Sequence, residues 1–219
     1  MAKTHIYFVP GLAAGIEIFR NIRLPDSEYE VHILEWLLPK SVHEELSAYA
    51  KRMAERVTEP NSILVGVSFG GVVVQEMAEF LTLKKLIIVS SVKTKEELPN
   101  RLKLIRKTGA YKLVPTSIVL SAPDLRKFAI GPKSKKRLSL YQEYLSVRDK
   151  VYLDWAIANM VCWDRSEASK DVIHLHGDAD YVFPIKNIEN CKVLEGGTHI
   201  MILNKGSVIS KMLQEIAEN

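Results

Sequence analysis

The chain has 219 residues, of which 47% are hydrophobic and 26% charged, as in an ordinary soluble globular protein. These values exclude disordered, collagen-like and fibrous classes, and the length favours one domain with a continuous core. The net charge of +4 is modest, but basic residues clearly outnumber acidic ones from Lys93 to Lys150, which marks a distinct segment.

The start of the chain and its cysteines predict a cytoplasmic protein. Residues 1–10 hold only a short apolar run, which is broken too early for a signal peptide. No apolar stretch approaches the roughly 18 residues that a membrane helix requires. Cys162 and Cys191 are too few for a disulfide framework and too far apart for a metal knuckle. We therefore expect two reduced thiols and no transmembrane segment.

Predicted strands and helices alternate along the first part of the chain. Short apolar or alternating runs predict strands at residues 5–9, 30–36, 62–67 and 85–89. Apolar residues at helical spacing predict helices at residues 41–57 and 69–81. Ser41 and Glu44 fit a capping box at the start of the first helix. Such alternation is typical of a parallel sheet with helices on both faces.

The alternation stops after the fourth predicted strand and resumes late in the chain. Residues 92–168 carry helical patterns without a convincing buried strand, so we predict a helical lid inserted at this point. Strands follow at residues 171–176 and 191–195, and a closing helix at about 200–217. The prediction is a doubly wound, mostly parallel α/β sheet of about six strands, formed by residues 1–91 and 169–219, with the lid at 92–168.

A candidate nucleophile lies between the third predicted strand and the helix that follows it. Ser68 stands in the sequence Gly66-Val67-Ser68-Phe69-Gly70, which fits the pattern G-x-S-x-G. A nucleophilic serine needs a tight, strained turn at this point, and the two glycines keep that turn free of Cβ clashes. The motif alone also fits a glycine-rich turn with a capping serine. The strand before it and the helix after it favour the nucleophile.

Two later loops carry candidates for an acid and a base. Asp178 and Asp180 follow the fifth predicted strand, and His199 follows the sixth. The carboxyl ends of parallel strands meet at one edge of a sheet, and Ser68 lies at that same edge. A serine, a carboxylate and a histidine that meet there suit nucleophilic catalysis. Asp178 also suits the capping of a turn.

Together these motifs resemble the α/β-hydrolase superfamily, and in particular its small bacterial-type serine hydrolases with a helical lid. The resemblance rests on P-G-L at 10–12, the G-x-S-x-G turn, G-x-x-D-x-x-x-P at 177–184 and G-G-x-H at 196–199. It implies Ser68 as nucleophile, His199 as base and Asp180, three residues after the glycine, as the acid. The first two strands of longer members are missing.

The resemblance also implies an oxyanion hole made by the backbone N–H groups of Leu12 and Phe69. Many members of the family have His-Gly where this chain has Pro10-Gly11. Gly11 retains the residue that the turn needs, so we expect the hole to be kept. Because the turn carries serine, an aspartate-nucleophile reaction such as dehalogenation is disfavoured.

The implied activity is hydrolysis of a carboxylic ester or thioester of a small, apolar or acyl substrate through an acyl-enzyme. Two alternatives stay open. The same triad would serve an acyltransferase or a C–C bond hydrolase, and the fold would also serve a non-catalytic small-molecule receptor. Lid aromatics are expected to help line an apolar pocket, with simple packing as the alternative for any one of them; they include Tyr141, Tyr144, Trp155 and Trp163.

We expect no metal and no cofactor. His174, His176 and Asp178 resemble the front half of a metallo-β-lactamase-type motif, H-x-H-x-D-H, but Ala179 takes the place of the last histidine. Local hydrogen bonds between strand histidines are therefore favoured over metal binding.

The remaining histidines and the basic segment do not predict a binding site. His5, His32 and His43 show no partner pattern, so each is interpreted as structural or solvated. The basic segment lacks interleaved aromatics and any recognised nucleic-acid motif. It is interpreted as a solvated helical face, with attraction of an anionic substrate or membrane surface as the alternative.

Overall fold

The computed structural model of the chain describes residues 2–112 and 145–218. Its strands are β1 Thr4–Val9, β2 Tyr29–Ile33, β3 Ser62–Val67, β4 Leu83–Val89, β5 Ile173–Gly177 and β6 Lys192–Leu194. The helices of these residues are α1 Leu46–Ala54, α2 Phe69–Met77, α3 Asn100–Thr108, α4 Lys150–Cys162, α5 Met201–Asn204 and α6 Gly206–Glu218.

All six strands are parallel and pair in the order β2-β1-β3-β4-β5-β6. Strand β3 is buried over its whole length, in keeping with its continuous apolar run. The strand order reverses between β1 and β3, so the loops after these strands diverge at the carboxyl edge of the sheet and leave room there for a site. The predicted sheet of about six parallel strands is confirmed.

Apolar cores lie on both faces of the sheet. Helices α1, α2 and α4 contribute to the core on one face, and α6 to the core on the other. Helix α6 buries Ile209, Leu213 and Ile216, whose spacing of three to four residues places them on one side of the helix. The sheet is therefore held between two layers of packed side chains.

Two predicted helix boundaries are wrong. The first helix begins at Leu46 instead of Ser41, because Glu44 does not form a capping box. Its carboxylate accepts the backbone N–H of Lys40 and pairs with Arg52, while the Ser41 hydroxyl accepts the N–H of His43. The single closing helix is interrupted at Lys205 and forms α5 and α6 instead.

The described ends of the predicted lid contain α3 and α4. Helix α4 packs against α2, and its Trp155 is fully buried, with the indole N–H donating to the Glu44 carbonyl at 2.8 Å. The indole of Trp163 donates to the Glu76 carboxylate at 3.0 Å. Residues 113–144, and with them Tyr141 and Tyr144, lie outside the described residues. A cover over Ser68 therefore stays a prediction.

Two further features bear on the sequence predictions. Across the helices that the structure describes, none has both the length and the apolar character needed to cross a membrane. Cys162 and Cys191 are both free and half-buried, and burial raises the pKa of the Cys191 thiol.

Candidate active site

Ser68 occupies a strained turn between β3 and α2. Its backbone has φ 54° and ψ −119°, a conformation that costs a non-glycine residue about 1–3 kcal/mol. The end of β4 and the residues after it hold this turn. The Ser68 N–H donates to the Val89 carbonyl at 2.9 Å, and the Ser91 hydroxyl donates to the Ser68 carbonyl at 2.7 Å. These bonds fix the backbone on both sides of the Ser68 side chain.

The glycines of the motif allow three backbone segments to approach one another closely. A Cβ at Gly66 would overlap the backbone of Gly70, and a Cβ at Gly70 would overlap the carbonyls of Val9 and Pro10. The first turn of α2 is therefore pressed against the ends of both β3 and β1. The two glycines of the motif thus keep the turn at Ser68 free of Cβ clashes, as the sequence predicts.

Ser68, His199 and Asp180 are joined by hydrogen bonds into one chain. Ser68 Oγ lies 2.9 Å from His199 Nε2, and His199 Nδ1 lies 2.9 Å from Asp180 Oδ2. A carboxylate only accepts, so the ring proton is on Nδ1 and Nε2 accepts from the serine hydroxyl. Asp178, the rival acid, is exposed. The structure thus brings the three predicted residues together, and their catalytic role stays a prediction.

Asp180 is held as a buried carboxylate, with 2% of its surface exposed. Its Oδ1 accepts the N–H groups of Val182 and Phe183 at 2.8 and 2.9 Å. Burial alone would raise the pKa of Asp180, but the charge and hydrogen bond of His199, with the Phe183 N–H, outweigh burial and lower it. Asp180 is therefore ionised at neutral pH and can orient the His199 ring.

The loops that carry Asp180 and His199 are packed against each other. A Cβ at Gly177 would overlap the backbone of Gly197, and the Ala179 N–H donates to the Gly197 carbonyl at 2.9 Å. The glycines of both predicted motifs therefore have a shared steric role. They let the two loops meet so that Asp180 and His199 are in hydrogen-bonding distance.

A buried histidine pair lies behind Asp180. His176 Nε2 donates to the Phe183 carbonyl at 2.8 Å, so His176 Nδ1 accepts from His174 Nε2 at 3.0 Å. Burial lowers the pKa of both rings, that of His174 to about 2, and both are neutral at pH 7. These are the local hydrogen bonds expected of the H-x-H-x-D segment, and they support the loop that holds Asp180.

The loop after β1 lies beside Ser68. A Cβ at Gly11 would be 3.5 Å from Ser68 Cβ, which brings the predicted oxyanion donor Leu12 to the edge of the site. The second predicted donor, the N–H of Phe69, is at the start of α2, where the helix presents its positive end. Both N–H groups therefore belong to segments that border the serine.

Trp36 is a residue of the site that the motifs do not reveal. It lies beyond the end of β2, and its indole N–H donates to the Gly11 carbonyl at 3.1 Å. Its ring stacks on Phe69 with 5.6 Å between centroids. The only signal in the sequence is a tryptophan near the carboxyl end of a predicted strand, which does not distinguish a site residue from a core residue.

The described ends of the predicted lid contact the loop that carries Asp180 and the loop after β1. The Arg101 guanidinium on α3 donates to the Tyr181 carbonyl at 2.8 Å and also bonds the Val182 carbonyl. The Val147 N–H, just before α4, donates to the Ala13 carbonyl at 3.1 Å. The described ends of the predicted lid are thus hydrogen-bonded to the loop that carries Asp180 at one end and to the loop after β1 at the other.

Neither a protein-family model nor a curated protein sequence matches the chain, but solved structures resemble it over its whole length. An esterase from Exiguobacterium antarcticum is 16% identical, with 100% of this chain and 93% of that chain covered and a TM-score of 0.70. An epoxide hydrolase from Bacillus megaterium is 13% identical, with 100% of this chain and 94% of that chain covered and a TM-score of 0.74. A carboxylesterase from Nitrososphaera gargenis is 14% identical, with 97% of this chain and 89% of that chain covered and a TM-score of 0.67. At such identities the likeness shows a common fold.

Proposed function

We propose that this chain, an α/β-hydrolase by fold, is a serine hydrolase that cleaves a carboxylic ester or thioester of a small, apolar or acyl substrate. The observation that carries the proposal is the continuous hydrogen-bonded chain from Ser68 Oγ through His199 to buried Asp180. A strained serine that already donates to an oriented imidazole is arranged for nucleophilic attack. An esterase and a carboxylesterase among the structural neighbours support hydrolysis of this kind.

In the proposed acylation step, Ser68 Oγ attacks the carbonyl carbon of the substrate while His199 Nε2 takes the hydroxyl proton. The oxygen of the tetrahedral intermediate is stabilised by the N–H groups of Leu12 and Phe69. The intermediate collapses, the bond to the leaving alcohol or thiol breaks, and His199 returns the proton to that group. Asp180 stays ionised and stabilises the imidazolium that forms in between.

In the proposed deacylation step, a water molecule replaces the leaving group. It gives a proton to His199 Nε2 as it attacks the acyl carbon, and the same two N–H groups hold the second oxyanion. The carboxylic acid leaves when the bond to Ser68 Oγ breaks and His199 returns its proton to the serine. The enzyme is restored, so no external proton donor, metal or redox partner is required.

The test is a series of p-nitrophenyl esters from acetate to dodecanoate, measured with the wild type, Ser68→Ala and Ser47→Ala. Ser47 is an exposed serine on α1 and provides the matched control. We expect Ser68→Ala to lower kcat by about three orders of magnitude or more, with Ser47→Ala unchanged. The preferred chain length reports the depth of the acyl pocket.

A fluorophosphonate probe, which labels activated serines, separates the alternatives. If the probe labels the wild type but not Ser68→Ala, and no ester is hydrolysed, the triad is competent but catalyses another reaction. Competition between water and added alcohols or amines then identifies acyl transfer. If the wild type is neither labelled nor active, the hydrolase proposal fails and a receptor function is favoured.

A further inference from the structure

Three side chains of the metal-ligand type meet across the first two strands. His5 lies on β1 opposite Glu30 of β2, and His32 lies two residues further along β2, opposite Tyr7. Alternate residues of a strand point to one face of a sheet, so all three share a face. Their ligand atoms lie within 4.8 Å of one another, and within residues 2–112 and 145–218 no other set of three acidic, His or Cys residues does so.

The two histidines already bring their nitrogens close enough to share an ion. His5 Nδ1 lies 3.0 Å from His32 Nε2. Two nitrogens at about 2.0–2.1 Å from a tetrahedral Zn²⁺ are about 3.3 Å apart, so the pair must open by a few tenths of an ångström and each ring must turn so that its nitrogen faces the ion. The proton between the two rings would move to the other nitrogen of its own ring, so both imidazoles would stay neutral.

Stacking holds the three rings of this cluster in nearly parallel planes. The ring of Tyr7 stacks on His32 with 4.3 Å between centroids and 13° between planes, and the rings of His5 and His32 are 12° from parallel. Both histidines are half-buried, whereas Glu30 is exposed. The nitrogens are therefore held in place by the strands, and an ion can reach them from the solvent side.

We propose that His5, Glu30 and His32 bind Zn²⁺ or a similar divalent transition metal ion, with water completing the coordination. Two imidazoles and one carboxylate suit such ions, whereas Mg²⁺ and Ca²⁺ prefer oxygen ligands throughout. The site is near the start of β1, six residues or about 20 Å of extended chain before Gly11. Its ion would tie edge strand β2 to β1 and is separate from the chemistry at Ser68.

The first test is a calorimetric titration of the tag-free full-length chain with Zn²⁺. We expect one equivalent to bind with a dissociation constant in the micromolar range, weaker than a four-ligand structural zinc. His5→Gln, His32→Gln and Glu30→Gln should each weaken binding at least tenfold. Exposed His43→Gln provides the matched control and should bind as the wild type does, and Mg²⁺ should not bind.

A second measurement guards against misfolded variants and against Zn²⁺ bound elsewhere. At 100 times the dissociation constant, Zn²⁺ should raise the Tm of the wild type by roughly 5–10 °C, but not that of Glu30→Gln, whose exposed side chain can be changed without disturbing the core. His199→Gln should retain the full shift.

Crystals grown with Zn²⁺ locate the ion by anomalous scattering. A peak between His5 and His32 supports the proposal, and a peak only at His199 or a cysteine overturns it. The proposal also fails if the wild type binds no Zn²⁺ below about 100 µM, or if Glu30→Gln and His32→Gln bind it as tightly as the wild type.

Discussion

The indole N–H of Trp36 donates a hydrogen bond to the carbonyl of Gly11, whose peptide plane also contains the N–H of Leu12. In a trans peptide the carbonyl and the N–H point in opposite directions. The Ala14 N–H donates to the same carbonyl at 3.0 Å. Two donors thus hold one side of this peptide, which fixes the direction of the Leu12 N–H, the predicted oxyanion donor, and polarises that N–H.

Replacing Trp36 by phenylalanine tests this orientation. Phenylalanine keeps an aromatic ring against Phe69 and Tyr152, which lie 5.6 and 5.4 Å away between centroids, but it cannot donate to Gly11. We expect kcat for ester hydrolysis to fall about 10–100-fold, since loss of a whole oxyanion donor costs about 100–1,000-fold. Because the oxyanion forms only in the transition state, KM should change little.

A matched control separates orientation from general stability. Tyr49→Phe also removes one buried hydrogen bond, from the Tyr49 hydroxyl to the Leu37 carbonyl at 2.9 Å, but away from the Gly11 peptide. It should lower the free energy of unfolding by about 1 kcal/mol and leave kcat unchanged. Equal losses of kcat in both variants would show that Trp36 acts only through packing.

Asp180→Asn tests the assignment of the acid. An asparagine amide favours the wrong His199 tautomer, in which Nδ1 accepts and Nε2 no longer takes the Ser68 proton. We expect kcat to fall about 10³–10⁴-fold, the scale found for this change in serine proteases. The steady-state kinetics should be compared with those of Asp178→Asn, an exposed neighbour in the same loop. A large loss in Asp178→Asn with a small one in Asp180→Asn would reverse the assignment.

The sequence predicts that Ser68, Asp180 and His199 lie close together because each follows a strand and stands near glycines that allow a close approach, and the structure has them in hydrogen-bonding distance. Parallel strands bring all such loops to one edge, so the pattern along the chain determines the neighbourhood in space. Trp36 escapes this reasoning because its partner is 25 residues away and no local pattern links the two. His5 and His32 are 27 residues apart and meet only through the register of β1 with β2.

Helix boundaries are less predictable because local patterns compete with tertiary contacts. Ser41 and Glu44 have the spacing of a capping box, but Glu44 instead pairs with Arg52, eight residues later.

Trp155 shows that the sequence also cannot tell which aromatic residues would line the predicted pocket. Its aromatic side chain suits either a pocket lining or a core, and only the packing against Tyr49 at 4.1 Å between centroids and the bond to Glu44 place it in the core.

The stability of the fold should depend on pH through His174. Burial, with the nearby charges of His176 and Lys93, lowers the pKa of His174 to about 2, whereas an unfolded histidine has a pKa of about 6.5. Below pH 6.5 the unfolded chain therefore binds a proton that the folded chain excludes. The contribution of neutral, buried His174 to the free energy of unfolding is complete above pH 6.5. It is lost as the pH falls, by about 2 kcal/mol between pH 7 and pH 5.

Urea unfolding of the wild type at pH 7 and pH 5 measures this loss. Burial lowers the pKa of His176 as well, so it adds to the loss, whereas the lowered pKa of Asp180 matters only below about pH 4. His174→Gln should reduce the difference between the two pH values by about 2 kcal/mol. His43→Gln, which removes an exposed histidine, should keep the full difference. An unchanged difference in His174→Gln would contradict the prediction.

Gly70→Ala should destabilise the fold because the first turn of α2 has no space for a methyl group. The added Cβ would overlap the carbonyl oxygens of Val9 and Pro10, which belong to the backbone and cannot turn away. We expect the free energy of unfolding to fall by about 3 kcal/mol or more, the upper range for overpacking. Gly15→Ala is the matched control in urea unfolding, since its Cβ would meet chiefly the side-chain ends of Ser146 and Glu17. These can rotate aside, so a loss in Gly15→Ala as large as that in Gly70→Ala would show that backbone overlap is not the cause.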